Sequence, residues 1–333
     1  MLSMKLLEKV DNCSRCGLCQ QVCPIFKAEK IECTVARGKF LQLLGVLKGD
    51  LKFSPKIMKN LDMCLYCGKC TAHCPSEIDA VALFSQIRAE KNSILDKVLN
   101  SELAFISKMF FLKILRLFKR QRKVSLPKNS LYFKGCIKSS IKVSIRSDFK
   151  CCALSFLVKG ELETYKKYAE YNMKIIEESE CDIFFDCATC FEAVSNYPFK
   201  SSETKKRLKM LGEIAENPKQ KIKVTFHKPC HLKDNKLEER LSSLSNVEYI
   251  QMEASDCCGF GGDFFFRHPK VAHKLSVMRA KEVLKTGADI VFSACPTCIW
   301  SLKWGLFCLS IMKRVRREKT KNVKVADITL LLS

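Results

Sequence analysis

The segment CSRCGLCQQVCP at residues 13–24 is followed, at residues 64–75, by CLYCGKCTAHCP, which has the same pattern. Each segment contains four cysteines separated by two, two and three residues, and a proline follows the last one. In two-cluster iron-sulfur proteins, three close thiolates bind one cubane and the fourth thiolate binds the neighbouring cubane. The sequence therefore predicts two 4Fe-4S clusters in this part of the chain.

The predicted ligands of each cluster come from both segments. One cluster is assigned Cys13, Cys16, Cys19 and Cys74, and its neighbour is assigned Cys64, Cys67, Cys70 and Cys23. A pair of zinc sites is the alternative, because CxxC pairs also occur in zinc ribbons. Zinc needs only four ligands from two such pairs, so the three-then-one spacing before proline favours clusters.

The composition indicates a soluble globular protein of two or three domains, since 47% of the 333 residues are apolar. Its 21 cysteines would suggest disulfides in a short secreted chain, but the opening MLSMKLLEKVDNC lacks the apolar run of a signal peptide. We therefore expect a cytoplasmic protein whose thiols bind metal.

The formal net charge of +23 restricts the partners that need to be considered. Basic residues are widely spread, with concentrations at 113–123 and 313–324. The sequence has no helix-turn-helix signature, aromatic RNA-binding motif or zinc-finger spacing, so we expect no nucleic-acid partner. A solvated surface, a docked protein and an anionic membrane surface remain as alternatives.

Residues 1–100 are predicted to form a helical ferredoxin domain that holds both clusters. Between the two cysteine segments, the stretch ARGKFLQLLGVLKGDL places apolar residues at helical spacing. These residues are Phe40, Leu43, Leu44 and Leu47. We expect helices around both clusters.

Residues 101–128 are predicted to form a basic amphipathic linker helix. Its stretch LAFISKMFFLKILRLFKRQRK is apolar, but lysines and arginines interrupt it before the roughly 20 residues that a membrane span needs. Two interpretations remain. The helix lies on an anionic surface or docks a partner, or it is a linker packed on the next domain.

From residue 129 onward, short apolar runs alternate with helical segments, and the pattern occurs twice. Predicted strands lie in LYFKGC, CDIFFDCATC, KVTFHKPC, VEYIQME and ADIVFSACPTC, whereas NVKVADITLLL is ambiguous between helix and strand. We predict an α+β multidomain fold, in which the helical two-cluster domain precedes duplicated α/β domains at 129–221 and 222–333. Sites in parallel α/β layers lie beyond the carboxyl ends of the strands.

A second set of cysteines follows these predicted strands. The first half contains Cys136, Cys151, Cys152, Cys187 and Cys190, and the second contains Cys230, Cys257, Cys258, Cys295 and Cys298. Adjacent cysteines point in divergent directions, so they suit different irons of a polynuclear cluster better than one metal ion. The pattern predicts one cluster in each half.

The order C, CCG, CxxC, found twice after two ferredoxin motifs, resembles the cysteine-rich (CCG) domain iron-sulfur proteins. That family includes heterodisulfide reductase catalytic subunits, the glycolate oxidase iron-sulfur subunit, lactate-utilisation iron-sulfur proteins and an electron-relay subunit of anaerobic glycerol-3-phosphate dehydrogenase. The segments that carry the resemblance are HKPCHL at 227–232, CCGFGGDF at 257–264, HP at 268–269 and TGADIVFSACPTC at 286–298. ARGKF near residue 38 and the predicted helix before Pro127 are similar to the glycolate oxidase subunit in particular.

The resemblance implies an iron-sulfur subunit of a respiratory oxidoreductase, with electrons passing between an FAD-containing dehydrogenase and a quinone or other membrane acceptor. A glycolate or lactate (2-hydroxyacid) oxidase type is the first expectation. A heterodisulfide reductase-like thiol-disulfide oxidoreductase and a relay of the anaerobic glycerol-3-phosphate dehydrogenase type are the alternatives. The resemblance implies one or two noncubane iron-sulfur clusters in the duplicated domains, and it allows peripheral contact with the inner face of the cytoplasmic membrane.

The substrate-oxidising flavin site is expected on another chain. The GFGG run at 259–262 follows a cysteine pair and lacks the downstream acidic residue of a dinucleotide-binding loop. We therefore expect no flavin or nicotinamide site in this sequence.

The first half departs from the family pattern in two ways. Fourteen residues separate Cys136 from Cys151, against twenty-six between Cys230 and Cys257, so about one helix is missing. Ala153 also stands where the second half has Gly259, and glycine permits a positive φ. The first set is therefore either a cluster site or a group of small buried residues.

The remaining three cysteines are expected to have structural roles, and three histidines are candidates for contacts with the clusters. Cys33, Cys181 and Cys308 belong to no motif and are expected to pack as small hydrophobic side chains. His227 and His231, which flank Cys230, and His73, within the second cysteine segment, are candidates for hydrogen bonds to cluster sulfur.

Overall fold

The computed structural model describes residues 4–91, 122–135, 141–143, 148–254, 256–315 and 322–332. Most of the predicted linker helix at 101–128 lies outside these ranges, and so does Cys136.

The described part of the N-terminal domain consists of helices and loops, as its apolar spacing predicts. Helices α1–α7 are Met4–Asp11, Leu18–Val22, Pro24–Glu29, Ala36–Leu47, Pro55–Asp62, Lys69–Ala72 and Ala80–Lys91, with a 3-10 turn at Glu32–Thr34. The core of the domain joins α4 and α7, where Phe40, Leu43, Leu83 and Phe84 are buried together. The cysteine segments occupy the loops and short helices around this core.

After residue 91, the described chain resumes at residue 122 with a strand, where a helix was predicted. Strand β1 is Arg122–Val124, and it pairs in parallel with β3, Ile141–Val143. The predicted helix at 101–128 is therefore wrong for its described end. The physical reason is that Val124 is buried against Tyr132, Phe184 and Leu332, which takes this segment into a packed core.

The rest of the described chain contains two larger parallel sheets. The first has the order β2-β4-β5, with strands Ser130–Phe133, Asp182–Phe185 and Leu208–Met210. The second has the order β7-β6-β8-β9, with strands Val247–Ile250, Ile222–Phe226, Ile290–Ser293 and Lys324–Asp327. Every described strand pair is parallel, so the carboxyl ends of the strands in each sheet lie at one edge.

Helices connect these strands. In the first sheet region they are α8 (Leu154–Lys159), α9 (Leu162–Ser179), α10 (Ala188–Ser195) and α11 (Ser202–Lys206). In the second they are α12 (Lys236–Ser243), α13 (Phe264–Arg267), α14 (Pro269–Lys285) and α15 (Pro296–Val315). The ambiguous C-terminal run becomes β9 followed by a 3-10 turn at Ile328–Leu331, where the Asp327 side chain accepts a hydrogen bond from the Thr329 amide.

The two sheets differ where the cysteine spacing differs. Between Cys230 and Cys257, the second region has helix α12 and the edge strand β7. The corresponding described residues of the first region contain only β3, which pairs with β1 and not with β2. Among the described residues of the shorter first interval, there is neither a helix nor an edge strand beside β2.

A buried carboxylate fixes the N-terminal domain to the second sheet region. Asp256 is 4% exposed, and its carboxylate lies 2.8 Å from Lys27 Nζ and 2.6 Å from Lys69 Nζ. The Arg279 guanidinium of α14 lies 3.5 Å away. Burial alone would raise the pKa of this carboxyl, but the three cations outweigh burial and lower the pKa. Because Asp256 directly precedes Cys257, this ion-pair group also fixes the position of the cysteine pair.

Within the described ranges, no helix combines the length and apolar character that crossing a bilayer requires.

Candidate iron-sulfur sites

The first of three cysteine-lined cavities lies in the N-terminal domain, near the protein surface. Its lining includes Cys13, Cys16, Cys19 and Cys74, which come from both cysteine segments. Cys16 is the exposed member of this set. The four cysteines that spacing assigns to one cluster are thus brought together in the structure.

The second cavity lies deeper. It is lined by the other assigned set, Cys23, Cys64, Cys67 and Cys70. Burial raises the pKa of the Cys67 thiol and, with the neighbouring Cys64, that of Cys70. A thiolate at such a site needs a bound cation to offset the loss of water, so the donor set fits iron.

A buried lysine next to the second cavity was missed by the sequence analysis. Lys39 is 2% exposed, donates a hydrogen bond of 2.8 Å to the Met63 carbonyl and lies 5.0 Å from the centre of the Phe84 ring. Burial lowers the pKa of its ammonium group, whereas the nearby Cys64 raises it. A cation at this point favours negative charge in the second cavity. The sequence around Lys39, which precedes Phe40 on an amphipathic helix, gave no indication that this lysine is buried.

The third cavity, of about 170 Å³, lies between the two sheet regions. The nine described cysteines of the two later sets all line it: Cys151, Cys152, Cys187, Cys190, Cys230, Cys257, Cys258, Cys295 and Cys298. The lining also includes aromatic residues of the second region, among them Phe260, Phe264 and Trp300. The sequence predicted one site in each half, and the structure brings the described members of both sets to one cavity.

The nine thiols influence one another electrostatically. Each shifts the pKa of the next in the order Cys151, Cys152, Cys190, Cys187, Cys295, Cys298, Cys258, Cys257 and Cys230. The interaction between Cys187 and Cys295 joins the two sets, and Cys230 Sγ lies 3.7 Å from Cys257 Sγ. The described members of the two sets therefore form a single group of thiols.

The topology explains why these cysteines meet. Cys187 follows β4 by two residues, Cys295 follows β8 by two, and Cys230 comes shortly after β6. The Ala188 amide donates to the Ala294 carbonyl at 2.8 Å, which joins the carboxyl ends of the two sheets directly. The predicted placement beyond the strand ends is thus confirmed for these residues.

Both cysteine pairs adopt the same turn, although one lacks glycine. Gly259 has φ +80°, and Ala153 has φ +59° in the equivalent position. The doubt that Ala153 raised about the first set is therefore not supported by the backbone. Both turns are also anchored: Tyr197 donates to the Cys152 carbonyl at 3.0 Å, and Ser301 donates to the Cys258 carbonyl at 2.7 Å.

The three cavities form a series because neighbouring cavities share a lining residue. Cys70 lines the first and the second, and Cys64 lines the second and the third. Ile25 and Leu65 of the N-terminal domain are buried in the same cluster as Cys257 and Cys258. The series runs from the exposed Cys16 to the cavity between the sheets.

His231 bridges the second and third cavities. Its Nε2 atom lies 3.2 Å from the carbonyl oxygen of Tyr66, and because a carbonyl only accepts, Nε2 donates. Its Nδ1 atom lies 3.2 Å from Thr189 Oγ1 and 3.8 Å from Cys230 Sγ. Thr189 Oγ1 in turn lies 3.7 Å from Cys295 Sγ. The imidazole thus touches the second cysteine segment, Cys230 of the second later set, and Thr189, which lies between Cys187 and Cys190 of the first.

The other two candidate histidines have different environments. His227 is fully buried, neither ring nitrogen has a hydrogen-bond partner among the described residues, and burial with the nearby Arg279 lowers its pKa to about 4. His73 is exposed and lines the first cavity, where its Nδ1 lies 2.9 Å from the Lys69 carbonyl oxygen. Of the three, only His231 connects two cavities.

The unassigned cysteines stay apart from all three cavities. Cys33, Cys181 and Cys308 are partly exposed and line none of them. Among the residues the structure describes, no three histidine, cysteine or acidic side chains surround one point closely enough for a single metal ion. Cluster thiolates bind different irons, so they need no common point, and the donor chemistry fits iron-sulfur clusters.

Comparison with known families agrees with this arrangement. The 4Fe-4S dicluster domain matches residues 9–78, and the cysteine-rich domain matches residues 132–195 and 224–303. The matched families are the ones that the cysteine motifs predict: a 4Fe-4S dicluster domain followed by cysteine-rich (CCG) domain regions.

Individual relatives are distant in sequence, and two of them match nearly the whole chain. A subunit of dihydromethanophenazine:CoB–CoM heterodisulfide reductase from Methanosarcina acetivorans is 23% identical, over all of this chain and 95% of its own length. The probable glycolate oxidase iron-sulfur subunit of Bacillus subtilis is 21% identical, over 96% of this chain and 93% of its own. In two uncharacterized archaeal iron-sulfur proteins, the chain spans only 68% and 63% of the relative's length.

A solved structure shares the fold. A hypothetical protein from Helicobacter pylori superposes with a TM-score of 0.54 at 9% identity, over 98% of this chain and 71% of that one.

Proposed function

We propose that this chain is the iron-sulfur electron-transfer subunit of an oxidoreductase complex. The observation that carries the proposal is the series of three cysteine-lined cavities, which share Cys70 and Cys64 and begin at the exposed Cys16. A series with one exposed end suits exchange of electrons with a separate redox partner.

The proposed cofactors follow the cavities. Cys13, Cys16, Cys19 and Cys74 would bind one 4Fe-4S cubane, and Cys23, Cys64, Cys67 and Cys70 would bind the other. We propose that the third cavity holds at least one noncubane cluster, for which all nine described thiols and Cys136 are candidate ligands. Such clusters take up and release single electrons over a wide range of potentials.

The protein's own residues have three tasks in this proposal. The buried thiols supply anionic ligands, while Lys39 offsets their charge at the second cavity. Apolar packing around Ile25, Leu65 and Phe260 excludes water from the path between the second and third cavities. His231 holds the Tyr66 loop and Thr189 at fixed distances.

We further propose that the partner is an FAD-containing dehydrogenase of the 2-hydroxyacid type, with a quinone or membrane protein as acceptor. The same proposal includes domain boundaries after residues 100, 128 and 221. It also treats the domains at 129–221 and 222–333 as a duplication. Its support is the likeness to a glycolate oxidase iron-sulfur subunit over nearly the whole of both chains.

The test is anaerobic purification of the native protein with its partners. Recovery of an FAD-dependent dehydrogenase, together with bleaching of the iron-sulfur absorption by glycolate or lactate, would support the proposal. Bleaching by neither acid, with a different flavoprotein recovered, would reject the substrate class. Recovery of no redox partner from native cells would count against a subunit role.

A second candidate function is thiol-disulfide reduction in the third cavity. The specific observation in its favour is that the described members of both later cysteine sets share one cavity with aromatic walls, where a disulfide could meet both. Cleavage of one disulfide consumes two electrons and two protons and yields two thiols. A reduced protein that converts a disulfide to two thiols, while Cys258→Ser does not, would favour this function over the relay.

A further inference from the structure

Helix α15 has an apolar face on its outer side. Its inner face buries Leu302 and Leu309. The outer face includes Trp304, Phe307 and Ile311, which are 39%, 55% and 44% exposed. Residues three or four apart lie on one side of a helix, so these three side chains form one stripe. A helix on the surface of a globular protein normally has polar residues there.

Close packing prevents the helix from turning this stripe inward. A Cβ atom added to Gly305 would lie 2.3 Å from the Ser276 carbonyl oxygen, so the backbones of α14 and α15 are in direct contact. Ser276 also donates a 2.6 Å hydrogen bond to the Ser301 carbonyl. The side chain of Trp304 is fixed by a hydrogen bond to α14, because its Nε1 donates to His273 Nδ1 at 3.1 Å. The stripe therefore stays on the outer side.

Positive charge accompanies the stripe in the sequence. Lys303 is exposed next to Trp304. In the sequence, residues 313–324 contain seven lysines and arginines and a single acidic residue, Glu318. Aromatic and aliphatic side chains bordered by cations are typical of helices that lie in the interface of an anionic bilayer. Nucleic acid would match the charge but leave the aliphatic side chains in water.

We propose that the outer face of α15 docks on an anionic membrane surface. In this orientation, the cavity between the two sheet regions also lies close to the lipid. Trp300 is one turn before Trp304 and lines that cavity, as does Phe266, which is 40% exposed. The inference goes beyond the proposed function, because it assigns a membrane contact to a named helix face whatever the redox partner is.

The test is flotation of the cluster-loaded full chain with vesicles of phosphatidylcholine alone and with added phosphatidylglycerol. The expected result is binding to the anionic vesicles, weakened by salt. The double variant Phe307→Gln, Ile311→Gln should reduce the bound-to-free ratio by about tenfold or more, because two large apolar side chains no longer leave water. Its iron content should equal that of the wild type, which shows that the fold is intact.

A matched control is the double variant Ile31→Gln, Leu41→Gln. These residues are 46% and 44% exposed in the N-terminal domain, and binding should not change. Equal binding of the α15 variant and the wild type would overturn the proposal, because basic residues alone would then explain the binding to anionic vesicles. Absence of wild-type binding would also overturn it. So would a wild-type dimer that the α15 variant converts to monomers, since a second copy would then cover the stripe.

Discussion

The Nε2 atom of His231 donates a hydrogen bond to the carbonyl oxygen of Tyr66 over 3.2 Å. Tyr66 lies between Cys64 and Cys67 of the second cysteine segment, whereas His231 follows Cys230 of the third cavity. Two sites that are far apart in the sequence are thus joined by one side chain, and this contact leads to the first prediction.

Replacing His231 should disturb communication between the second and third cavities. His231→Leu leaves the Tyr66 carbonyl without its donor, at a cost of about 1–3 kcal/mol, whereas His231→Gln retains a donor. We expect the leucine variant to shift the reduction potential of the third-cavity centre and to slow its reduction, with partial rescue by glutamine. Potentiometric titration followed by electron paramagnetic resonance measures both.

His73→Gln is the matched control for this experiment. His73 lies in the second cysteine segment, but it is exposed and its Nδ1 contacts only the nearby Lys69 carbonyl. Its replacement should leave the third-cavity potential unchanged. Equal potentials in the wild type and the His231→Leu variant would show that the bridge has no redox role.

Asp256→Asn should destabilise the contact between the N-terminal domain and the second sheet region. The change leaves the ammonium groups of Lys27 and Lys69 and the guanidinium of Arg279 without their shared carboxylate, so a loss of about 3 kcal/mol is expected. Limited proteolysis and the thermal midpoint measure the effect. Asp182→Asn removes the half-exposed ion pair to Lys209 and should cost about 1 kcal/mol or less. Equal effects of the two changes would contradict a special role for Asp256.

The two cysteine-pair turns should respond differently to exchange of glycine and alanine. In Gly259→Ala, the new Cβ would lie 2.8 Å from Leu275 Cβ at a φ of +80°, so we expect a loss of about 2–3 kcal/mol. In Ala153→Gly, relief of the positive φ is offset by loss of a buried methyl group, and the change should stay within about 1 kcal/mol. Thermal midpoints and iron content measure both, and similar losses in the two variants would contradict the packing argument.

Acid should destabilise the protein partly through His227. Its folded-state pKa of about 4 lies below the unfolded value of 6.5, so the unfolded chain binds the proton more readily. Stability is full above pH 6.5 and falls by about 3 kcal/mol as the pH drops toward 4. His227→Leu should lose less stability than the wild type between pH 7 and pH 5, as measured by thermal midpoints. Identical pH dependence in the two proteins would contradict a buried, neutral His227.

Local patterns in the sequence were sufficient for most of the secondary structure and for the grouping of the first eight cysteines. The apolar spacing of Phe40, Leu43 and Leu44 predicts α4, and the spacing of the cysteine segments predicts which thiols share a cavity. The strand-cysteine order around Cys230 and Cys295 likewise predicts sites beyond the strand ends. Each of these features depends on residues close in sequence or on a repeated motif.

Features that depend on tertiary packing could not be predicted in the same way. Cys187 and Cys295 come close together because two sheets meet at the Ala188–Ala294 hydrogen bond, and neither segment carries a signal for that meeting. Alanine rarely adopts a positive φ, so the sequence provides no reason to expect at Ala153 the turn that Gly259 permits. The backbone of Ala153 nevertheless has a positive φ. Burial of Lys39 contradicts the usual behaviour of lysine and depends on a nearby carbonyl and ring.

The most direct test of the central claim is the iron content of the anaerobically purified full chain. Two cubanes account for about eight irons per chain. If the third cavity holds a further cluster, the wild type should contain more than this number, and Cys298→Ser should lose the excess while retaining about eight. A wild type with about eight irons, unchanged by Cys298→Ser, would contradict a metal centre between the two sheets.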